Sequence, residues 1–235
     1  ASPEFLVLGF LLNQRLIHSV AEIESVTVDW SLGEGEMGQP GVAAIKTREG
    51  QSQAGSKTAA RVVTTGCGQG SVFGDWIQDI ASLDLPQEAH ITQATLYELV
   101  NAIRVQESTY KSSGSVHGCA LFKGAEMLMF VEDVGRHNAI DTIAGWMLMH
   151  PEASGQPMGG GDKVFYTTGR LTSEMVIKSA QMGVPIVVSR SGITQMGHQI
   201  AQQVGVCAIG RATNKRFVCY ASAHRLQLEP GLAGV

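Results

Sequence analysis

From Lys163 onward the chain alternates short apolar runs with amphipathic segments, and this rhythm restricts the fold more than any other feature. Residues 164–167, 186–189 and 206–209 have the length of buried strands, with helical spacing over 173–182 and 195–204 between them. Pro185 and Gly205 punctuate the pattern. Strands and helices alternating at this length imply right-handed crossovers and a parallel arrangement. Residues 217–220 add one more strand, expected as an antiparallel edge.

Upstream, residues 117–122 and 127–131 read as neighbouring strands across a Lys123-Gly124 turn. Thr92 caps a helix that carries Leu96, Leu99, Val100 and Ile103 on one face, and residues 111–115 break it. Ser2 and Pro3 open an earlier helix, as N-cap and first helical residue, that runs to about Gln14. Residues 23–28, 42–45 and 61–65 read as strands, 51–57 as an exposed connection, and 76–83 as one or two helical turns.

With 235 residues, 44% of them hydrophobic and 16% charged, the chain can bury a sizeable core. A net charge of -4 argues against a nucleic-acid binder driven by phosphate neutralisation. No run of 18 apolar residues suggests a membrane span. The apolar run 5–12 has no basic region before it, which argues against a secretory signal. Chain position 1 is Ala rather than Met, so an amino-terminal part of the natural chain is expected to be missing. The four cysteines, Cys67, Cys119, Cys207 and Cys219, form neither a Cys-x-x-Cys pair nor a Cys/His cluster, which disfavours structural zinc. Cys207 and Cys219 read as packed core thiols, and a reducing, cytoplasmic setting is expected.

The densest polar stretch is Val131-Glu-Asp-Val-Gly-Arg-His-Asn-Ala-Ile-Asp141, where an apolar strand stops at two acids and Gly135 frees the backbone to turn. Beyond it Ile140, Ile143, Ala144, Met147 and Leu148 share a helical face. Ligands of α/β sheets sit where strand ends meet helix starts. A purely structural account has Asp133 capping the helix and Arg136 pairing with Glu132.

Three other segments can carry chemistry. Gly66, Gly68, Gly70 and Gly74 frame Cys67 in a loop that resists regular structure, and an accessible thiolate can attack or carry sulfur. Thr167-Thr-Gly-Arg170 and Ser189-Arg-Ser-Gly192 each place hydroxyls, a glycine and an arginine before a helix start, where an anion is favoured. Neither matches a P-loop. The basic segment 211–216, with Arg211, Lys215 and Arg216, lies near both loops if its strand follows the sheet order. His117 and His198 read as structural or solvated, and Met147, Met175 and Met182 as core filler.

Together these residues resemble the FdhD family of formate dehydrogenase accessory proteins, sulfur carriers for the molybdenum cofactor. The matching strings are Ser2-Pro-Glu, Leu8-Gly-Phe-Leu-Leu12, Thr64-Thr-Gly-Cys-Gly68, Glu132-Asp-Val-Gly-Arg-His-Asn-Ala139, Thr168-Gly-Arg-Leu-Thr-Ser-Glu-Met175, Gly183-Val-Pro-Ile186, Ser189-Arg-Ser191 and Tyr220. The resemblance runs from Ser2 to about Leu226, and the family usually has a further amino-terminal segment. It implies a three-layer α/β fold, a mixed sheet sandwiched by helices and similar to cytidine deaminases. Residues 1–60 would form a smaller α+β part and 61–226 the main α/β part. It implies a homodimer acting between a cysteine desulfurase and formate dehydrogenase; from charge and hydropathy, no nucleic acid or membrane is expected as a partner. Cys67 would carry sulfur as a persulfide to the molybdenum of a bis-guanine-dinucleotide cofactor, of which a guanine nucleotide is a mimic.

Arg211, Ala212, Thr213, Asn214, Lys215 and Arg216 align with the stretch that contacts this client. Its phosphates are expected to meet Thr168, Gly169, Arg170, Ser189 and Arg190 as well. No metal ligands are expected, because a zinc deaminase needs a His/Cys/Cys set with a nearby glutamate and the chain has no matching motif. One departure matters: the family loop usually reads Cys-x-x-Cys, whereas this chain has Gly70, so a disulfide within the loop is impossible. A persulfide needs one protein sulfur, and the carrier role survives. Two alternatives stand beside it: a non-catalytic chaperone for the cofactor or a guanine nucleotide, and a hydrolase pairing Cys67 with His137.

Overall fold

The computed structural model describes residues 2–29, 42–48, 83–106, 108–151 and 159–232. In chain order the elements are α1 (Pro3–Asn13), β1 (Ile23–Asp29), β2 (Val42–Thr47), β3 (Ile91–Thr92), α2 (Gln93–Val105), α3 (Thr109–Ser113), β4 (His117–Lys123) and β5 (Glu126–Asp133). They continue with α4 (Arg136–Met149), β6 (Lys163–Thr167), α5 (Ser173–Gln181), β7 (Ile186–Ser189), α6 (Gln195–Val204), β8 (Cys207–Thr213), β9 (Arg216–Ala221) and β10 (Leu226–Gln227).

Six strands form the main sheet in the order β5-β4-β6-β7-β8-β9. The neighbours β6, β7 and β8 run parallel, as the alternating pattern implies, while the β4–β5 hairpin and β9 are antiparallel. All five residues of β6 are buried, which suits a strand covered on both faces. Period-two alternation splits β4 between the two sides. Cys119 and Leu121 pack with α4, α5 and α6, whereas Ala120 and Phe122 pack with Leu96, Leu99 and Val100 of α2. The result is a mixed sheet with helices on both faces.

Local chemistry fixes several boundaries. Thr92 and Thr194 accept from the backbone N–H groups of Thr95 and Gly197, capping α2 and α6. Gly205 ends α6 at φ 73°, a left-handed value open to glycine. The segment expected only to break α2 forms α3 instead, because Ser108 caps it at Lys111 and Gly114 closes it. Ser2 precedes α1 as expected but its side chain makes no capping bond.

A fourth layer lies outside α4. A Cβ on Gly9 would stand 1.7 Å from the Asp141 carbonyl oxygen, and one on Gly145 1.9 Å from that of Phe5. The backbones of α1 and α4 therefore touch, and α4 is buried nearly all round. Strands β1 and β2 pair in a small sheet of their own. The segment after β9 is anchored by Arg225, 1% exposed, whose guanidinium donates to the carbonyl oxygens of Pro86, Ala89 and Gly205.

Candidate functional site

The register brings the expected polar segments to one edge of the main sheet. β5, β6, β7 and β8 all end there, and β4 begins there, with His117 opposite Asp133 and Cys119 opposite Thr167.

The two strand-exit loops are laced together by their hydroxyls. Gly118 N donates to Thr168 Oγ1 at 3.0 Å, Ser189 Oγ donates to the Gly169 carbonyl at 2.6 Å, and Ser191 Oγ donates to that of Thr168 at 2.8 Å. Leu171 and Ile193 form a parallel bridge beyond them. Thr168 and Ser189, expected to meet phosphate, are thus buried and spend their hydroxyls on scaffold. Gly169 is buried too. Arg170 and Arg190 are exposed, the latter with its guanidinium 5.7 Å from the centre of the Tyr110 ring.

The basic turn joins this edge. Arg211 N donates to the Ser191 carbonyl at 2.7 Å, and Tyr97 Oη donates to that of Lys215 at 3.2 Å. Arg211, Thr213, Asn214, Lys215 and Arg216 are exposed, while Ala212 is buried and turned into the core. Arg211 and Asn214 both adopt φ 53°, left-handed positions that hold the turn in a tight shape. Five exposed cations, Arg170, Arg190, Arg211, Lys215 and Arg216, consequently occupy one sheet edge.

At the other end of the edge the β5–α4 join departs from its expected wiring. Asp133 Oδ1 does organise the turn, accepting from Gly135 N at 2.8 Å and Asn138 Nδ2 at 3.0 Å. Gly135 itself is extended, at φ -111°, so the turn does not draw on glycine's special freedom. The pairing of Arg136 with Glu132 does not form. Glu132 instead accepts the Thr109 and Tyr110 N–H groups at 2.8 Å, at the start of α3. Burial pushes the His137 pKa down to about 3, with Lys178, Arg136 and His117 adding to the effect. Its Nε2 lies 3.4 Å from Glu174 Oε2, a contact that alone would raise the value. Desolvation outweighs that carboxylate, so the imidazole is neutral near pH 7 and the contact is not an ion pair. His117, given only a structural role from its strand position, belongs to this cluster, and burial followed by Arg136 lowers its pKa.

A model of the FdhD/NarQ family matches residues 1–227. The chain belongs to the FdhD/NarQ family. The sulfur carrier protein FdhD of Bacillus licheniformis is 30% identical over 227 residues, which span 96% of this chain and 81% of that protein. Its Bacillus subtilis counterpart is 29% identical over 225 residues, 95% of this chain and 80% of that one. A solved structure from Desulfotalea psychrophila, described as a formate dehydrogenase accessory protein, matches with a TM-score of 0.67. At 22% identity over 95% of this chain and 79% of that one, it bears on the fold alone.

In this FdhD/NarQ chain Cys67 and its glycine loop lie outside the described residues, as do 51–57, 61–65 and 76–82. The three described cysteines are free. Cys119 is fully buried, and burial pushes its thiol up to about 12, so it is an inert core residue. Cys207 is buried as well, and its contact with the Cys219 thiol, followed by burial, pushes its own thiol up. Cys219 is only half-buried, and the Cys207 thiol beside it holds its pKa below the usual thiol value while its own rises. His198 Nε2 lies 3.0 Å from the Tyr220 carbonyl, a structural bond. Among the described residues no group of His, Cys, Asp and Glu is arranged to hold a metal ion, and no helix is long and apolar enough to cross a membrane.

Proposed function

We propose that this FdhD/NarQ chain is a sulfur carrier that serves a formate dehydrogenase by passing persulfide sulfur to its molybdenum cofactor. The observation that carries this reading is the gathering of Arg170, Arg190, Arg211, Lys215 and Arg216 on one sheet edge, in a family whose relatives are named sulfur carriers. Such an edge suits a ligand with several phosphates, as a bis-guanine-dinucleotide cofactor has. In the loading step the Cys67 thiolate attacks the outer sulfur of a cysteine desulfurase persulfide. The new S–S bond forms on Cys67 and the desulfurase cysteine leaves as its thiolate, so electrons balance without an added oxidant. In delivery the S–S bond on Cys67 breaks: the outer sulfur passes to the molybdenum of the client, which is substrate here and supplies the two electrons from its reduced state, and Cys67 leaves as its thiolate. The carrier acts in the cytoplasm as a homodimer. A cytidine-deaminase-like arrangement, on this reading, would concern the layered mixed sheet and not zinc chemistry.

Incubating the chain with a desulfurase and cysteine, then mapping modified peptides by mass spectrometry, tests the loading step. The expected result is the mass of one sulfur on Cys67. Absence of sulfur there, with a Cys67→Ser chain still supporting formate dehydrogenase, would leave the cofactor-chaperone reading in its place.

A further inference from the structure

Arg136 and Arg225 are both buried arginines, and they are treated oppositely. Arg225 gives its guanidinium to three carbonyl oxygens. Arg136, 9% exposed, makes no hydrogen bond or ion pair among the described residues, and its Nε is enclosed without a partner. The acids along its own stretch are committed elsewhere: Glu132 to α3, Asp133 to Gly135 and Asn138, and Asp141 to Asn13 and Lys178. A buried cation with no opposite charge beside it among the described residues is expensive, so its persistence points to an anion supplied from outside the chain.

The surroundings fit that need. A Cβ on Gly169 would lie 2.9 Å from Arg136 Cδ and 3.3 Å from His117 Nδ1, so the bare glycine lets the arginine run between the β6 exit and the β4 start. His117 Nδ1, His137 Nδ1 and Thr172 Oγ1, enclosed in the same way, have no partner among the described residues. Neither Gly135 nor Thr172 provides a side-chain cap, and the positive ends of α4 and α5 both face this cluster. The His137–Glu174 contact ties these two helix starts together. Charged groups facing the cluster are Arg136, Glu174 at its rim, and Lys178, which is neutralised by Asp141. A cation would meet Arg136 and two positive helix ends, whereas an oxyanion meets donors from several directions.

We infer that Arg136, with His117, His137 and the starts of α4 and α5, forms a binding site for a phosphate-class oxyanion. The group is either inorganic phosphate or a phosphate of a nucleotide-bearing ligand. Binding an oxyanion with these residues requires no thiol, and its failure would leave the sulfur-loading step untouched.

Thermal unfolding and histidine-ring NMR of the full chain test it, with inorganic phosphate, guanosine diphosphate and hydrosulfide as probes at matched ionic strength in chloride. Phosphate should raise the wild-type Tm and shift the His117 and His137 ring signals with saturation, because an anion held by the native state stabilises it. Arg136→Met should fold with a Tm no lower than wild type in phosphate-free buffer, and should bind phosphate about tenfold or more weakly. A response to the diphosphate alone assigns the oxyanion to a nucleotide, and a response to both shows that the free ion suffices. An unaltered phosphate response in Arg136→Met, a response to hydrosulfide only, or none beyond chloride overturns the inference. So does a marked loss of stability in Arg136→Met without phosphate.

Discussion

Lys178 Nζ lies 2.8 Å from Asp141 Oδ2 with both side chains 3% exposed, joining α5 to α4 inside the protein. Asn13 Nδ2 of α1 donates to the other carboxylate oxygen at 2.7 Å, so one aspartate ties three helices together. Burial still pushes the Asp141 carboxyl above its ordinary value, against the pull of Lys178 and Asn13. The pair thus specifies an arrangement more than it stabilises one. Lys178→Met should cost about 3–5 kcal/mol in urea unfolding, because the carboxylate is left buried and half-partnered. The double change with Asp141→Leu should recover much of that loss. If the double variant is less stable than Lys178→Met alone, the pair is a net source of stability and this account fails.

That pair also marks where sequence reading stops. Asp141 stands out in the string, but Lys178 and Asn13 lie 37 and 128 residues from it and carry no local sign of meeting it. The strands and helices after Lys163 were legible because each announces itself through spacing and a cap, as α6 does with Thr194 and Gly205. The hydroxyls of Thr168 and Ser189 were legible as a group but not in their role. Whether a threonine faces a phosphate or a neighbouring loop depends on strand order, which only the assembled sheet supplies. His117 joins the site for the same reason, through its register opposite Asp133.

His137 gives a pH signature. Its folded pKa, about 3, lies below the ordinary 6.5, so on acidification the unfolded chain takes up a proton first. The associated stability is fully present above about pH 6.5 and is lost as pH falls toward 3. With each unit worth about 1.4 kcal/mol and some discount for partial exposure, roughly 2 kcal/mol should disappear between pH 6.5 and 4.5. His137→Gln should flatten that slope in urea titrations at the two pH values. An identical acid loss in wild type and variant would show that the imidazole is not held neutral.

The crossing of α1 over α4 offers a steric test. Because a Cβ on Gly145 would collide with the Phe5 carbonyl oxygen, Gly145→Ala must push the helices apart. The loss should be at least about 1–3 kcal/mol, seen as a Tm drop of roughly 2–4 °C per kcal/mol for a chain of this size. Gly114→Ala is a useful contrast: nothing lies within 4 Å of its Cβ position, so its penalty comes from its φ of 66° alone. Equal stability of wild type and Gly145→Ala would mean that the two backbones are not in contact.

Cys219 bears on how any sulfur-loading experiment is read. Its thiol, held below the usual thiol range by Cys207 and half-exposed, should be alkylated by iodoacetamide at pH 8 well before Cys119, whose thiol stays protonated up to about 12. Cys207→Ala removes the stronger influence on that thiol and should slow the reaction at Cys219. Peptide mass mapping over a time course separates the sites. Faster labelling of Cys119 than of Cys219 would contradict the burial and contact described for them.

The basic turn makes the sharpest demand on the proposed function. Tyr97 and Ser191 grip its backbone at Lys215 and Arg211, so truncating one exposed side chain should leave the turn in place. Arg216→Ala should therefore weaken guanosine diphosphate binding about tenfold, the scale of one charge-assisted contact to phosphate, with little change in Tm. Added salt should weaken wild-type binding more than that of the variant, since an exposed cation acts through a screened field. Arg104→Ala, on the exposed side of α2 where Arg104 contacts Asn101, should do neither. Calorimetric titration at two salt concentrations distinguishes these outcomes. Affinity that is indifferent to Arg216 and to salt would mean that the phosphates bind somewhere other than this edge, and the cations gathered there would need another explanation.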